Sequence, residues 1–253
     1  MQFRGSDDIA ANFAAIMRGI DWARREGARF LMTQECALTG YPPIETKELS
    51  GIDWTLLDEK LALLRQAAKE NDMFLAVGTV LKTAGVVTNS VVMISASGDF
   101  MDPYHKRALW GWDVDNFQPG TKPGIYQIDG VMIGIRICYD FRFPELFREL
   151  LRARVNMVFI AFCDNKDKPN DSRYELIKYT SIIRAVENVT YVITANTLSG
   201  FQTGPTMIVN PDGKVLQIAP RDTECVLVQD IGPVEESFGQ KGILANNNRF
   251  LGW

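Results

Sequence analysis

The chain of 253 residues is 46% hydrophobic and carries a formal net charge of -4. That fills one sizeable core over residues 1–253 and leaves no basic surplus for nucleic acid. No apolar run reaches membrane-spanning length, and the N-terminus has no positively charged segment followed by an apolar stretch of the signal-peptide kind, so cytoplasm is the default compartment and no membrane partner is expected.

In chain order, residues 1–4 (Met1-Gln2-Phe3-Arg4) are too short for a full strand, and Ser6-Asp7-Asp8 reads as a helix N-cap region. Ile9, Phe13, Ile16, Met17 and Ile20 then share one helical face, and Gly27 ends the segment. The apolar run Phe30-Leu31-Met32-Thr33-Gln34 leads to Glu35. Residues 54–71 have amphipathic helical spacing, and residues 74–81 and 86–95 read as strands joined at Ala84-Gly85. A buried strand spans residues 131–137, directly before Cys138, and a helix follows from Phe143-Pro144, with Leu146, Leu150 and Leu151 on one face. Residues 157–162 form another buried strand, 172–189 a helix, and 207–216 a hairpin around Pro211-Asp212-Gly213. This alternation predicts a layered α/β sandwich. Residues 198–205 and 237–253 read as loops that shape specificity.

Three residues with complementary chemistry each stand where a hydrophobic run ends. Cys138 occupies a tight strand-to-helix turn, where unpaired backbone N–H groups favour a thiolate and can hold an oxyanion. A lone Cys is more often a buried packing residue, and it is the company of the other two that changes the odds. Glu35, beside a thiol in a partly dehydrated site, is suited to general base work. Lys106, in Pro103-Tyr104-His105-Lys106-Arg107, supplies positive charge for a tetrahedral intermediate, although taken alone it reads as a surface lysine. The four cysteines lie far apart without a CxxC pair and His105 is the only histidine, which argues against zinc; no G-x-S-x-G or G-x-x-x-x-G-K motif occurs.

Gln34-Glu35-Cys36-Ala37-Leu38-Thr39-Gly40-Tyr41-Pro42-Pro43, Tyr104-His105-Lys106-Arg107 and Gly134-Ile135-Arg136-Ile137-Cys138-Tyr139-Asp140-Phe141-Arg142-Phe143-Pro144-Glu145-Leu146 together resemble the nitrilase superfamily of carbon-nitrogen hydrolases. Asn116-Phe117-Gln118-Pro119-Gly120, Arg184-Ala185-Val186-Glu187-Asn188 and Tyr191-Val192-Ile193-Thr194-Ala195-Asn196 extend the resemblance over nearly the whole chain. It implies a four-layer α-β-β-α sandwich that assembles as a homodimer or larger homo-oligomer. Glu35 is then the general base, Lys106 the electrostatic stabiliser, Cys138 the nucleophile that forms a thioester, and the Tyr139 backbone N–H an oxyanion donor. No metal or organic cofactor is implied. Tyr139-Asp140, where true nitrilases usually have Trp-Glu, favours amides over nitriles, and the motif is similar to the branch of omega-amidases and the amidase of deaminated glutathione. N-carbamoyl hydrolysis and a noncatalytic binding role on the same fold are the alternatives.

Two departures stand out. Where many members carry a second active-site Glu, this chain offers Asp113 and Asp115, with Asp113 preferred from its spacing to Phe117, and an Asp reaches the site only if its loop moves inward. The first strand of the family is reduced or absent here, which predicts an exposed sheet edge and a gain in thermal stability if upstream sequence exists and is restored. Arg142 is a candidate for a substrate carboxylate, with an internal acid such as Glu145 as the rival partner. Phe162 and Cys163 are candidates for shaping the substrate site, Glu187 for bracing the lysine or nearby backbone, and His105 reads as structural because neighbours in an extended segment point to opposite faces.

Overall fold

The computed structural model describes residues 1–232, 234 and 236–252. Helix α1 (Ile9–Arg25) starts where the Asp8 carboxylate accepts the Ala11 N–H at 3.0 Å, and the chain leaves it through Gly27 at φ +71°. It buries Ile9, Ile16 and Ile20, while Phe13 and Met17 flank that face half-buried. Strand β1 (Phe30–Met32) follows, then α2 (Trp54–Glu70), capped by Asp53, and strands β2 (Phe74–Thr83), β3 (Val86–Ile94) and β4 (Tyr104–His105). These form a four-stranded sheet in the order β1-β2-β3-β4, parallel between β1 and β2 and antiparallel elsewhere.

After the short helix α3 (Trp112–Asn116), a six-stranded sheet begins with β5 (Ile125–Ile128) and β6 (Val131–Ile137). Helix α4 (Pro144–Arg152) connects to β7 (Met157–Phe162), and a two-residue strand β8 (Asn165–Lys166) precedes α5 (Asp171–Asn188). Strand β9 (Tyr191–Asn196) is followed by β10 (Phe201–Gln202), which pairs with β8, and by β11 (Met207–Val209) and β12 (Val215–Ile218). The sheet order is β12-β11-β9-β7-β6-β5, with β6, β7 and β9 mutually parallel because α4 and α5 make the crossovers.

Strand alternation decides what each layer buries. Ile133, Ile135 and Ile137 of β6 face the first sheet and pack with Met32, Val91, Met93 and Tyr104. The intervening Gly134 and Arg136 face α4; a Cβ on Gly134 would stand 2.9 Å from Leu150, and the buried Arg136 guanidinium donates to the Leu146 carbonyl and Glu149. Helices α1 and α2 cover the outer face of the first sheet, and α4 and α5 that of the second. The result is the expected α-β-β-α sandwich. On α4 the buried positions are Phe147, Leu150 and Leu151, with Leu146 half-buried against the same core.

No further strand pairs with β1 among the described residues, although the Met1 ammonium donates to the Met32 carbonyl at 2.6 Å. The first residues are nevertheless anchored. Gln2 exchanges two backbone hydrogen bonds with Cys225, at 3.0 and 3.2 Å, and the Phe3 carbonyl accepts from Leu198 N at 3.0 Å and Gln34 Nε2 at 3.1 Å. A cavity of about 280 Å3, lined by Phe30, Met32, Phe159, Ile193 and Val228 among others, runs beside β1 and holds none of the candidate catalytic residues.

The segment 237–253, read from sequence as a loop, is instead helix α6 (Phe238–Leu251), with Trp253 outside the described residues. Ser237 and Gln240 form a reciprocal capping box at 3.3 and 2.9 Å, and Leu244 packs on Leu151 and Val189. The S-x-x-Q spacing was the local signal for this helix. Among the described residues no helix is long and apolar enough to cross a membrane.

Candidate active site

Glu35, Lys106, Cys138 and Cys163 all follow directly from strand ends on the same side of the two sheets or one short step beyond them. The Glu35 segment crosses β2 at Gly78, where a Cβ would lie 2.1 Å from the Gln34 carbonyl, so only glycine admits this approach. Gly78 N donates to Thr33 Oγ1 at 3.0 Å and Glu35 N to the Phe162 carbonyl at 3.3 Å, which joins the segment to both sheets.

The Glu35 carboxylate is buried and held by three donors. Oε1 accepts from Asn89 Nδ2 at 2.7 Å and Lys106 Nζ at 2.8 Å, and Oε2 from Cys163 N at 2.9 Å. Lys106 Nζ also donates to Asp113 Oδ2 at 2.6 Å, and Asp113 Oδ1 accepts from Tyr41 Oη at 2.7 Å. Tyr41 is fixed in turn by its N–H to Glu45 Oε2 at 2.9 Å. Of the two aspartates, Asp113 is fully buried on the lysine and Asp115 is exposed. Two buried carboxylates therefore share one buried ammonium.

Cys138 has φ +41°, a left-handed conformation that a non-glycine residue adopts only under constraint, and it opens a 3-10 turn over Cys138–Arg142. Together with Tyr41, Lys106, Asp113, Tyr139 and Cys163 it lines a cavity of about 210 Å3, which Arg142, Phe162 and Lys166 also reach. Thus Lys106, Asp113, Cys138, Tyr139, Arg142, Phe162 and Cys163 converge on one cavity, and Glu35 stands behind it on Lys106 and Cys163.

The electrostatics correct one expectation. The turn does not favour a thiolate at rest: burial, followed by the nearby Glu35 charge, pushes the Cys138 thiol well above the ordinary thiol range, and Lys106 only partly opposes this. Burial also raises the Glu35 carboxyl, with Lys106 pulling it back and Asp113 adding to the rise. Burial alone would lower the Lys106 ammonium, yet the charges around it, Glu35 first, raise it well above its ordinary value, so it stays protonated. Near neutral pH the Cys138 thiol is therefore protonated and Lys106 charged, so attack by the sulfur would need a base.

Other placements refine the sequence reading. Arg142 is exposed, its guanidinium 5.9 Å from the centre of the Tyr139 ring, and no ion pair joins it to Glu145 among the described residues. Glu187 does not reach Lys106. It accepts from Arg184 Nη1 at 2.6 Å, and Arg184 donates to the Phe141 and Arg142 carbonyls at 3.1 and 3.3 Å, so α5 braces the turn after the nucleophile. His105 Nδ1 pairs with Ser90 Oγ at 2.7 Å, away from the lysine. Residues 198–205 and α6 do not line the cavity, whose walls are the loops around residues 41–44, 106–113, 138–142 and 162–166 with Arg173 of α5.

Asn89, which the sequence did not single out, also belongs to the candidate site. It is buried in β3, donating to Glu35 and accepting from Cys36 Sγ at 3.5 Å. A polar side chain at a core-facing strand position requires a partner, and the Thr88-Asn89-Ser90 run inside an apolar strand was the available sign.

Residues 2–235 match the profile of the carbon-nitrogen hydrolase family. A nitrilase from Pyrococcus abyssi is 27% identical over 226 residues, covering 87% of this chain and 83% of its own length. A deaminated glutathione amidase from Synechocystis sp. is 28% identical over 236 residues, with 85% of this chain and 84% of that protein covered. An amidase structure from Nesterenkonia sp. superposes with a TM-score of 0.76 at 21% identity, over 87% of this chain and 86% of that one, and in it acrylamide has added to the active-site cysteine. The chain belongs to the carbon-nitrogen hydrolase family.

Proposed function

We propose that this enzyme hydrolyses small linear amides to a carboxylate and ammonia through a thioester on Cys138. The observation that carries the reading is the placing of the Lys106 ammonium between Glu35 and Asp113, on the cavity that Cys138 lines. Glu35 takes the Cys138 proton as the sulfur attacks the amide carbon, and Lys106 Nζ with the Tyr139 N–H stabilises the oxyanion. Glu35 then hands the proton to the leaving nitrogen, the C–N bond breaks and ammonia departs. A water deprotonated by Glu35 attacks the thioester, the C–S bond breaks, and the proton returns to the thiolate, leaving a free acid that ionises. Asp113 takes the position of the second carboxylate, keeping Lys106 charged and aimed.

The substrate side of the reading is an amide with a distal carboxylate. Arg142 and Lys166 line the cavity without an acidic partner within salt-bridge distance among the described residues, whereas Arg173 is paired with Asp164 at 2.5 Å. Phe162 and Cys163 form the inner wall against the acyl chain. Four free cysteines, Cys36, Cys138, Cys163 and Cys225, suit a reducing cytoplasm. For assembly, Leu176, Tyr179 and Ile183 make an exposed apolar stripe on the outer face of α5, at spacings that fit a helix packing on a second copy.

The test is ammonia release from a panel of short amides, carboxylated and neutral, with carbamoyl compounds alongside and Cys138→Ala as control. Cys138-dependent release without carbon dioxide supports the reading. Carbon dioxide released with the ammonia would replace it with N-carbamoyl hydrolysis, and silence from folded protein across the whole panel would leave it unsupported.

A further inference from the structure

Asp140 is fully buried, and its carboxylate accepts hydrogen bonds from two separate loops. Oδ1 takes Ala108 N at 2.7 Å and Arg107 N at 3.2 Å, the two amides that follow Lys106. Oδ2 takes Ile137 N at 3.0 Å, the amide before Cys138, and Tyr104 Oη at 2.8 Å, two residues before the lysine. No cation forms a salt bridge with this carboxylate among the described residues, so backbone and phenol dipoles alone satisfy it.

From this arrangement we infer that Asp140 is a positioning residue that sets the distance between the two oxyanion donors, Lys106 Nζ and the Tyr139 N–H. The inference rests on the amide hydrolase reading. One donor lies on the Lys106 loop and the other on the turn after β6, and they come from different sheets, so nothing local to either segment fixes their separation. The Asp140 carboxylate is bonded to the chain on both sides of that gap, and Tyr139 is its immediate neighbour. The bond to Ile137 N also closes the turn in which Cys138 takes its left-handed conformation. An oxyanion site works only when its donors are already in place as charge develops, and a misplacement of about 1 Å costs on the order of 100-fold in rate.

Two substitutions act on this clamp in different ways. Asp140→Asn keeps the size but turns one acceptor oxygen into an NH2 group facing N–H or O–H donors. Asp140→Glu keeps both acceptors and the charge but adds a methylene, which pushes the Lys106 loop and the Cys138 turn apart. Tyr104→Phe removes one of the four donors and leaves both loops bonded to Asp140.

The experiment compares amide turnover with alkylation of Cys138 by iodoacetamide, in which the sulfur displaces iodide and no oxyanion forms. In folded Asp140→Asn and Asp140→Glu, kcat on the best amide is expected to fall by about 100-fold with KM within about threefold of the parent, while the alkylation rate, which senses only the loosened Cys138 turn, falls by severalfold at most. Tyr104→Phe is expected to lower kcat only severalfold, and it carries the test if Asp140→Asn does not fold. Turnover within twofold of the parent in folded Asp140→Asn or Asp140→Glu overturns the inference. Equal losses of turnover and alkylation overturn it as well, since they mean that the carboxylate supports the whole site and not the oxyanion donors. Failure of the underlying reading looks different: the parent enzyme itself then shows no Cys138-dependent ammonia release.

Discussion

Asp113 Oδ2 lies 2.6 Å from Lys106 Nζ, closer than Glu35 Oε1 at 2.8 Å, so the shorter carboxylate is the nearer partner of the lysine. The inward reach that an Asp needs comes from α3, which follows Gly111 at φ +60° and turns Asp113 into the site. Asp113→Asn is expected to lower kcat by about tenfold or more by loosening Lys106. Unchanged turnover in Asp113→Ala would remove this residue from the site.

The pH dependence follows from the same trio. In the proposed mechanism Glu35 is a base only when deprotonated, and burial raises its pKa above the ordinary 4.5. Activity is therefore expected at pH above that raised value and lost as pH falls through it, with the acid limb of kcat/KM displaced upward from an ordinary Glu. Lys106→Met removes the charge that pulls Glu35 down and moves the limb higher; Asp113→Asn removes a charge that pushes it up and moves the limb lower. Profiles of both variants, with residual rates measured by a sensitive ammonia assay, check the two opposite signs.

Asn89→Ala is expected to cut kcat by about 10- to 100-fold with little change in KM, because Glu35 Oε1 loses the donor at 2.7 Å that fixes its orientation. The thermal midpoint should fall as well, since Asn89 is buried. Parental kcat in a folded variant would count against Asn89 as an orienting group.

Arg142→Lys is expected to raise KM about tenfold for amides with a distal carboxylate and to leave neutral amides of equal length unchanged. Kinetics on matched pairs of amides decide this. An equal effect on both classes would mean that the guanidinium serves the turn or the Tyr139 ring and not the substrate.

The double substitution Leu176→Glu with Ile183→Glu places charge on the exposed stripe of α5 and is expected to give a monomer where the parent is a dimer or larger. Light scattering coupled to gel filtration reads the mass directly. A parent that runs as a monomer would refute the assembly reading at once.

Much of this architecture was legible because it is local. Strands β6 and β7 span residues 131–137 and 157–162, the bounds read from sequence, since runs of Val, Ile and Phe ending at polar or turn residues mark buried strands without reference to the rest of the fold. The first two helices likewise match closely, because Asp8 and Asp53 cap their own chains three residues on. The last helix was missed where apolar periodicity is weak, although its capping box was present at Ser237 and Gln240.

The sequence by itself determined the layered α/β fold, the strand-end positions of Glu35, Lys106 and Cys138, and the family to which their motifs point, all carried by neighbours within a few residues. The choice of Asp113 over Asp115, which spacing to Phe117 only favoured, acquired its physical basis in the tertiary structure. Positions two apart on a helix turn about 200° from one another, so one faces the lysine and the other faces water, and composition cannot tell which. The tertiary structure also assigned Asn89 to Glu35 across 54 positions and tied Asp140 to Ala108 across 32. The raised Cys138 pKa belongs to the same class, because desolvation exists only once the chain has closed around the sulfur.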